Sequence, residues 1–536
     1  MSAIHQVLLA GSGAGYQIAN SLRFRASNSA YLSRTSGASP TDQKKVTYST
    51  WMKAAPSLFS GTQVGIVSSS ANNGIIGWNL ASGAGRIFVR NDATNDINFA
   101  GLFRDPSAWG HLVIAVDTTQ ATAADRVKVY WNGVAMTYVS GSYPTQNSNT
   151  YLNAASTAYR IMSDTVNGTY LDGYIANFYM IDGQALTPSS FGQTDAITGV
   201  WVPKAYSGTY GTNGFFLQFK DAASTTTIGY DTSGNSNNFT TSGISVTSGV
   251  TFDQMTDTPT NNYSTLNPLD LSGTTGTYAS ANLNFTKATG GNAQAYNTIQ
   301  MASGKWYCEV TMGADIAEFV PGIITGTTNP AANRYLGQDT YTYAYYYSGQ
   351  KVNSASYTSY GNSYVASDVI GIIIDADNGK LYFSKNGTVQ NSGDPVAGTN
   401  AAFTGLTGPY RFAASAESGG VADFNFGQRP FAYTPPSGFK ALSTANITST
   451  AVSTSGTFTG NAAADGPFVW TDGNPATLTI NGNAVTFGTH ADKTAGGFKL
   501  RSSSSSYNAS GSNTWTATAG KRFVQSKKPN NAQVNP

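Results

Sequence analysis

Apolar and polar residues alternate in short runs along most of this 536-residue chain. An extended chain places successive side chains on opposite faces, so each run predicts a β-strand with one buried face. No segment has the apolar spacing of an amphipathic helix, and "SPTDQKK" and "QALTPSSFG" have room for one helical turn at most. The clearest strand runs are "VTYSTWMKA" (46–54), "HLVIAVD" (111–117), "RVKVYWNG" (126–133), "YIANFYMIDG" (174–183), "VIGIIIDADNGKLYFSKNG" (369–387) and "ATLTINGNAVTFG" (476–488).

Many of these runs end in a dipeptide that favours tight turns. Asn-Gly and Asp-Gly adopt the positive φ angles that a two-residue hairpin demands. The run "IIIDADNGKLYF" is the clearest hairpin, and its "DADNG" (375–379) is interpreted as a turn and not as a calcium loop. The pattern predicts an all-β protein built from antiparallel sandwiches of the jelly-roll kind. The turn dipeptides are Asn132-Gly133, Asp182-Gly183, Asn378-Gly379, Asn386-Gly387 and Asn481-Gly482.

The strand runs fall into three groups separated by turn-rich polar sequence. Domains of about 150 residues are common, so a chain of this length has room for about three. The polar stretches 231–276 and 435–456 mark the boundaries. We predict a first domain at 1–245, a linker at 246–275, a second domain at 276–445 and a small β-rich domain with a tail at 446–536.

The stretch "YTYAYYYSGQ" (341–350) concentrates five tyrosines in seven residues. Alternation sends Tyr341, Tyr343, Tyr345 and Tyr347 to one face of a strand, and Thr342, Ala344 and Tyr346 to the other. A one-sided stripe of this kind favours a core or inter-sheet face over a platform for a ligand. We therefore look for ligand contacts in the segment that follows, "SGQKVNSASYTSYG" (348–361), which is interpreted as a loop.

Composition and charge argue against several classes of function. Charged residues make up 11% of the chain and the net charge is +2, so no strong positive field is present to bind nucleic acid. The chain's one cysteine, Cys308, excludes an intrachain disulfide and is interpreted as a buried small apolar residue. The N-terminus lacks a basic start and a long apolar run, and no stretch approaches the ~20 apolar residues of a membrane span. We expect synthesis in the cytoplasm without a signal peptide and no membrane insertion.

The residues needed for catalysis are scarce. Glycoside hydrolysis requires paired carboxylates, but the three glutamates, Glu309, Glu318 and Glu417, have no suitable partner on a strand. His5, His111 and His490 lie far apart in the sequence and lack metal-ligand spacing. We therefore predict a protein that is not an enzyme and has no cofactor. A calcium ion at a loop rim stays open as an alternative, with these loop acids available: Asp117, Asp125, Asp164 and Asp172.

A saccharide site is compatible with this composition. Aromatic faces pack against the C–H faces of sugars, and planar amides bond pairs of hydroxyl groups. Residues of both kinds occur in segments interpreted as loops: Trp78, Asn79, Tyr143, Asn147, Asn149, Tyr151, Tyr335, Tyr357, Tyr360 and Tyr364. Six of them are our predicted ligand-binding residues: Trp78, Asn79, Tyr151, Tyr357, Tyr360 and Tyr364.

The first domain resembles the laminin-G-like, concanavalin A-like jelly-roll family. The motifs that carry the resemblance occur in the family's order: "SLRFRASNSAYLSR" (21–34), "VTYSTWMKA", "WGHLVIAVD" (109–117), "VKVYWNGV" (127–134) and "LDGYIANFYMIDGQALTPSSFG" (171–192). The stretches "GVWVPKAYSGTYGTNGFFLQF" (199–219) and "DTSGNSNNFT" (231–240) are similar to an extension of this module in bacteriophage virion proteins.

The second domain resembles the SPRY family, a bent β-sandwich used for recognition. The matching segments are "SGKWYCEVTM" (303–312), "DVIGIIIDADNGKLYFSKNG" (368–387) and "YRFAASAESGGVADFNFGQRPFAYTPPSGFKAL" (410–442). The third segment, with its terminal "NNAQVNP", is similar to tails in the same phage proteins.

The two resemblances imply a non-enzymatic virion protein of a bacteriophage. The leading hypothesis is a tail fibre or receptor-binding protein that recognises host surface glycans and assembles with other virion proteins, as a homo-oligomer in the particle. A capsid decoration or head-fibre protein that binds other virion subunits is the structural alternative. A polysaccharide depolymerase is the enzymatic alternative, although the chain offers no carboxylate pair for it.

Overall fold

The structure is a computed structural model that describes most of the chain as far as residue 447. It describes residues 15–447 except 56–62, 71–73, 80–85, 92–95, 102–104, 166–167, 197, 270–275, 315–318 and 327–332, and beyond them the backbone of seven strands. The chain forms two compact units. One contains the described residues up to 193 and from 202 to 447, and the other contains residues 194–201 with those beyond 448.

The described residues up to 258 form eighteen strands. They are β1 (Ser21–Phe24), β2 (Tyr31–Thr35), β3 (Lys45–Ala54), β4 (Gln63–Ser69), β5 (Ile75–Asn79), β6 (Arg86–Arg90), β7 (Asp96–Phe99), β8 (Gly110–Asp117), β9 (Val127–Trp131), β10 (Val134–Ala135), β11 (Tyr138–Ser140), β12 (Ala158–Ile161), β13 (Gly173–Asp182), β14 (Gly192–Thr194), β15 (Trp201–Pro203), β16 (Phe215–Leu217), β17 (Thr240–Ser242) and β18 (Gln254–Met255).

Fourteen strands follow before residue 447. They are β19 (Thr277–Ala279), β20 (Asn284–Thr286), β21 (Ala293–Tyr296), β22 (Lys305–Met312), β23 (Phe319–Thr325), β24 (Thr342–Tyr345), β25 (Gln350–Asn353), β26 (Ser356–Ser359), β27 (Val369–Asp375), β28 (Lys380–Lys385), β29 (Thr388–Val389), β30 (Tyr410–Ala416), β31 (Val421–Asn425) and β32 (Lys440–Ala441).

The strands of the second unit form two small sheets, in the orders β33-β38-β35-β36 and β37-β34-β39. Most of the domain predicted at 446–536 lies outside the described residues. Its strands are β33 (Ser455–Thr459), β34 (Phe468–Thr471), β35 (Leu478–Ile480), β36 (Asn483–Ala484), β37 (Phe498–Leu500), β38 (Ser512–Ala517) and β39 (Phe523–Ser526).

Helical structure in the described residues consists of single 3-10 turns, so the all-β prediction is confirmed. None of the described helices is long and apolar enough to span a membrane. The turns are Ala26–Asn28, Ala123–Asp125, Tyr151–Asn153, Pro188–Ser190, Thr227–Gly229 and Gln390–Ser392.

Two antiparallel sheets face each other in the first sandwich. Sheet I has the order β10-β9-β8-β3-β13-β1-β18 with β16 beside β13, and sheet II has the order β11-β7-β6-β5-β4-β12-β2-β17. Alternate residues of both sheets meet in one buried core, with Leu22 and Ile114 on sheet I and Leu32 and Ile76 on sheet II. The alternating pattern in the sequence is therefore the pattern of this core.

The second sandwich repeats this arrangement with sheets III and IV. Sheet III has the order β19-β20-β31-β22-β27-β28-β29 with β32 parallel to β22, and sheet IV has the order β21-β30-β23-β24-β25-β26. Aromatic pairs join the sheets: Phe319 of β23 lies 6.4 Å from Phe285 of β20, and Tyr345 of β24 lies 5.3 Å from Phe383 of β28. Cys308 is fully buried in β22, and burial raises the pKa of its thiol.

Residues 246–275, predicted to be a linker, contribute to both sandwiches. Gln254 and Met255 form β18, which pairs with β1. The Asp253 carboxylate, buried, accepts hydrogen bonds from Arg23 and Arg25. Further along, the Thr256 N–H donates to the Gln428 carbonyl and the Ser264 N–H donates to the Leu442 carbonyl of the second sandwich. The described part of the segment, 246–269, therefore packs as part of the fold.

Buried His111 predicts a specific loss of stability in acid. The ring is 1% exposed, lies 2.8 Å from the Ser49 hydroxyl through Nε2 and stacks on Trp51 with centroids 4.7 Å apart. Burial lowers the pKa of His111 to about 3. Below the ordinary histidine pKa of about 6.5, His111 is protonated in the unfolded chain but stays neutral in the folded chain. Its contribution to stability is therefore present above that pH and is lost as the pH falls below it.

We expect this histidine to lower the free energy of unfolding by about 2 kcal/mol between about pH 7 and about pH 5. Urea unfolding of the wild type and His111→Phe across this range measures the effect. The phenylalanine variant keeps the stacking on Trp51 and has no proton to bind, so its pH slope is expected to be shallower. Identical slopes for the two proteins would contradict the assignment.

Candidate functional site

Small residues in the middle of sheet IV leave room for the segment around Leu336, which covers the sheet and which we call the covering segment. A row of paired residues crosses this sheet from strand to strand: Tyr296, Ala413, Gly322, Ala344, Val352 and Tyr357. Leu336 lies over the middle of the row, where a Cβ on Gly322 would come within 2.9 Å of its Cδ2. The Leu336 N–H donates to the Ser415 hydroxyl at 2.8 Å and fixes the segment in place.

Five tyrosines surround this covering segment, and we call them the tyrosine surface: Tyr335, Tyr341, Tyr346, Tyr347 and Tyr357. The Tyr357 ring lies 6.3 Å from Tyr335 and 5.2 Å from Tyr346, and the rings of Tyr346 and Tyr347 lie 4.7 Å apart. Tyr341 packs against the same small apolar cluster. The interplanar angles of 38°, 74° and 54° make an uneven aromatic surface that exposes ring faces and ring edges.

The side chains of the tyrosine surface lie between core and solvent. Tyr357 is 38% exposed and the other four are half-buried. Burial, followed by the Tyr335 hydroxyl, raises the pKa of Tyr357, and burial beside Asp339 raises the pKa of Tyr341. Both phenols therefore stay neutral hydrogen-bond donors at physiological pH. The surface offers aromatic area and hydroxyl groups without a negative charge of its own.

Two polar contacts hold the rim of this surface. The Asn353 Nδ2 donates to the carbonyls of Asp339, Thr340 and Thr342 at 3.2, 3.1 and 2.9 Å, which ties the turn before β24 to β25. Arg334 and Asp339 form an ion pair of 3.2 Å beside it. Because Asn353 spans both elements, the tyrosines on either side keep a defined spacing.

The tyrosine stripe predicted from alternation is confirmed inside the strand and wrong outside it. Tyr343 meets Phe403 and Tyr345 stacks on Phe383, so both point into the space between the sheets. Strand β24 begins at Thr342 and ends at Tyr345, and alternation does not extend beyond these bounds. Tyr341 and Tyr347 therefore join Tyr346 on the tyrosine surface.

The three predicted ligand residues of the second sandwich differ in exposure: one is partly exposed and two are buried. Tyr357 belongs to the tyrosine surface, but it lies in β26 and not in a loop, because 348–361 forms a hairpin with Val352 opposite Tyr357. Tyr360 and Tyr364 are 6% and 1% exposed and pack against Tyr345. Both lie in the loop between β26 and β27, as predicted, but their rings fill space beneath β24 and are not open to a ligand.

Trp78 and Asn79 were also predicted to lie in a loop, and this is wrong. Both belong to β5, which pairs with β4 and β6, and Trp78 is 2% exposed in the core. Asn79 is half-buried and donates to the Asn98 side chain at 3.3 Å. Tyr151 begins a 3-10 turn of the first sandwich and is half-buried. These three residues are separate in sequence from the tyrosine surface and lie on the other sandwich.

Tyr341, Tyr346 and Tyr347 were not among the predicted ligand residues. A usable signal was present, because alternation already separates Tyr346 from Tyr345. The missing information was the pairing of β24, β25 and β26, which brings Tyr357 to the same face as Ala344.

The carboxylate of Glu309, in strand β22, is engaged in structural contacts. Glu309 is 2% exposed, accepts hydrogen bonds from the Tyr307 hydroxyl and from the N–H groups of Ala432 and Tyr433, and burial raises its pKa. Within the described ranges, no three His, Cys, Asp or Glu side chains come together to hold a metal ion. The calcium alternative stays a prediction.

The tyrosine surface lies within a segment that matches a known family. The family model described as SPRY domain matches residues 305–429. The chain contains a SPRY domain. This confirms the resemblance of the second sandwich, whose strands β22 to β31 span the match.

Two curated proteins are similar to this chain over a limited part of its length. The ATP-dependent RNA helicase DDX1 of Xenopus laevis is 29% identical over 145 residues, which are 26% of this chain and 18% of the helicase. The E3 ubiquitin-protein ligase RKP of Arabidopsis thaliana is 37% identical over 106 residues, which are 18% of this chain and 8% of the ligase. The match therefore spans less than a fifth of either relative.

Solved SPRY domains are similar to the same part of the chain. The crystal structure of the SPRY domain of human HERC1 is 14% identical, with 26% of this chain and 87% of that chain covered and a TM-score of 0.22. A second crystal structure of a human SPRY domain is 15% identical, with 26% and 89% covered and a TM-score of 0.22.

Proposed function

We propose that this protein is a non-enzymatic recognition protein whose SPRY domain binds a saccharide through the tyrosine surface. The observation that carries the proposal is the contiguous set of partly exposed rings around Tyr357, with ring centroids 4.7 to 6.3 Å apart. Aromatic rings of this kind present a flat apolar face and a polar hydroxyl, which suits the C–H faces and hydroxyl groups of a sugar. A covering of neutral phenols favours an uncharged saccharide.

The hydroxyl groups beside the rings support a sugar over an apolar partner. Strand β26 is exposed at every residue and has the sequence "SYTS", and alternation places the Ser359 hydroxyl on the same face as Tyr357. The described acids offer no carboxylate pair on this surface, which is why the proposal is binding without hydrolysis.

We propose further that the protein is a component of a bacteriophage virion. In this proposal the first sandwich is a laminin-G-like jelly roll, the protein is a tail fibre or receptor-binding component, and its partners are host surface glycans and other virion proteins. The support is the ordered set of motifs between 21 and 192 and the stretch "DTSGNSNNFT". The relatives named above come from an animal and a plant and bear on the SPRY domain only.

A glycan array and labelled particles test the two parts of the proposal separately. The purified full chain is expected to bind neutral bacterial surface glycans on the array. Labelling of intact virions is expected to place the protein at the tail. Label spread over the capsid lattice would support a decoration protein instead, and an array without a neutral glycan bound would contradict saccharide recognition by this surface.

Substitution of the exposed rings predicts a loss of affinity. Each stacked aromatic contributes about 0.5–1.5 kcal/mol beyond its buried area, so Tyr346→Ala with Tyr357→Ala is expected to weaken glycan binding about tenfold or more. Isothermal titration with the best array glycan measures this change. Tyr138→Ala is the control, because Tyr138 is 42% exposed on the first sandwich, close to the 38% of Tyr357. Equal losses in both variants would contradict the assignment.

A further inference from the structure

The first sandwich contains a polar groove that the tyrosine surface does not involve. The groove lies at the edge of sheet II. Strand β17 begins there at Thr240, opposite Ser33, and β2 continues beyond that pair to Thr35. Strands β2 and β12 form the floor of the groove. Its volume is about 870 Å³, in the upper part of the 300–1,000 Å³ range of ligand sites. The polar side chains that line it include Tyr31, Ser33, Arg34, Arg160, Asn237 and Thr240.

The wall of the groove is the stretch "DTSGNSNN" (231–238). The Asp231 carboxylate accepts hydrogen bonds from the Phe216 N–H, the Ser233 N–H, the Ser233 hydroxyl and the Asn237 N–H, all at 2.8 Å. The Asn235 and Asn237 amides donate to carbonyls of 211–214, including that of Gly214. This network fixes the wall in the absence of a ligand. Four hydrogen-bond donors satisfy the carboxylate oxygens of Asp231.

Arg34 and Arg160 line the groove from opposite faces of the sheet, because Arg160 pairs with Ser33 and Arg34 pairs with Tyr159. Arg160 lies 4.5 Å above the Tyr31 ring, and Tyr31 stacks on Tyr170 with centroids 6.1 Å apart. Among the described residues, no carboxylate pairs with the Arg160 guanidinium, whose neighbour is the Tyr31 ring. Arg34 donates to the Asn237 Oδ1, and partial burial lowers its pKa without removing its charge. The Asp231 carboxylate acts on Arg34 in the opposite direction and raises its pKa, so Arg160 is the arginine of the described lining that only an aromatic ring holds.

We propose that this groove binds the carboxylate of an acidic saccharide, such as a uronic acid unit, at the guanidinium of Arg160. A guanidinium held flat on an aromatic ring presents its N–H edge to a carboxylate in the paired geometry that the two groups favour. The rest of the lining favours a sugar, because the exposed hydroxyl and amide side chains of Thr35, Ser236 and Asn238 match ring hydroxyls. A peptide would need apolar pockets for its side chains, and the groove offers only Gly37, Ala38 and Ala158 besides its tyrosines.

This second site differs from the tyrosine surface in its sandwich and in the charge of its ligand. It rests on the proposed function only in the choice of a saccharide. It also assigns a role to "DTSGNSNN", the stretch that resembles a phage extension, since its asparagines and aspartate form the groove wall.

Titration with defined oligosaccharides tests the proposal. The full chain is mixed with oligogalacturonate, with the same oligosaccharide after reduction of its carboxyl groups, and with hexaglutamate. We expect binding of oligogalacturonate, weakened by salt, and a loss of about tenfold or more on carboxyl reduction or in Arg160→Gln, because the charged hydrogen bonds are lost. Hexaglutamate bound as tightly as oligogalacturonate would overturn the saccharide assignment.

Lys128→Gln is the matched control, because it removes one exposed positive charge, 47% exposed, from another part of the first sandwich. An equal loss in Lys128→Gln and Arg160→Gln would overturn the groove as the site, as would no binding of oligogalacturonate to the wild type. Tyr346→Ala with Tyr357→Ala is expected to keep oligogalacturonate affinity. If that double variant retains oligogalacturonate while the wild type binds no neutral glycan, the groove stands and the proposed role of the tyrosine surface fails.

Discussion

Replacing Asp257 by alanine is expected to lower the free energy of unfolding by about 3–5 kcal/mol, because it leaves a buried ammonium group without its counter-ion. The side chains of Lys53 and Asp257 are 1% and 0% exposed, and Nζ lies 2.8 Å from Oδ2. Oδ1 also accepts from the Trp109 indole at 2.8 Å and from the Tyr263 N–H at 3.1 Å. Equilibrium unfolding in urea, followed by tryptophan fluorescence, measures the loss.

An exposed ion pair of the same sandwich provides the control. Lys128 and Asp125 approach to 3.0 Å, but their side chains are 47% and 45% exposed. Solvent screens such a pair, so Asp125→Ala is expected to cost about 0–1 kcal/mol. A loss in Asp257→Ala as small as in Asp125→Ala would mean that the Lys53 pair does not hold residues 257–263 to the first sandwich.

Replacing Tyr345 by alanine is expected to lower the free energy of unfolding by about 3–5 kcal/mol, as for other large aromatic residues removed from a core. Tyr345 is fully buried, stacks on Phe383 at 5.3 Å and meets Tyr360 and Tyr364 at 5.8 and 5.6 Å. The resulting cavity opens directly behind β24. Urea unfolding measures the change in stability.

Tyr345→Phe separates packing from hydrogen bonding at this position. The phenylalanine keeps the ring and loses only the bond from the hydroxyl to the Asn362 carbonyl, so a cost of about 1 kcal/mol is expected. If Tyr345→Ala and Tyr345→Phe have the same small cost, Tyr345 does not support the inter-sheet core as described.

Local sequence predicted strands and tight turns well, because both depend on neighbouring residues. Asn132-Gly133 and Asn386-Gly387 have positive φ angles, +47° with +80° and +47° with +81°, and they join β9 to β10 and β28 to β29 as predicted. The run "IIIDADNGKLYF" forms the β27–β28 hairpin with Ile374 opposite Leu381. In each case the residues that decide the geometry lie within a few positions of the turn.

The segment at 246–275 was interpreted as a linker because its composition is polar and rich in turn residues. Its role depends on partners more than two hundred positions away, since Asp253 pairs with Arg23 and Asp257 pairs with Lys53. No local sequence pattern predicts a buried ion pair between residues so far apart in the chain. The acidic residues are polar in sequence and yet buried in the fold.

The tyrosines of the SPRY domain show the same limit. Alternation predicted that Tyr343 and Tyr345 face the other sheet, and this is confirmed. It did not predict that Tyr346 and Tyr357 meet, because their contact requires the register of three paired strands. Trp78 was misplaced for a related reason: glycines surround it in the sequence, but β4 and β6 cover it on both sides.

Hydroxyl-radical footprinting of the full chain with its best neutral array glycan tests the central claim most directly. Modification of each tyrosine side chain is measured by mass spectrometry with and without the glycan. We predict that saturating glycan lowers the modification of Tyr346, Tyr347 and Tyr357 and leaves Tyr138 and Tyr230 unchanged, which are 42% and 43% exposed away from the tyrosine surface. Unchanged modification of Tyr357 at saturation, or an equal decrease at Tyr138, would contradict saccharide recognition by the tyrosine surface.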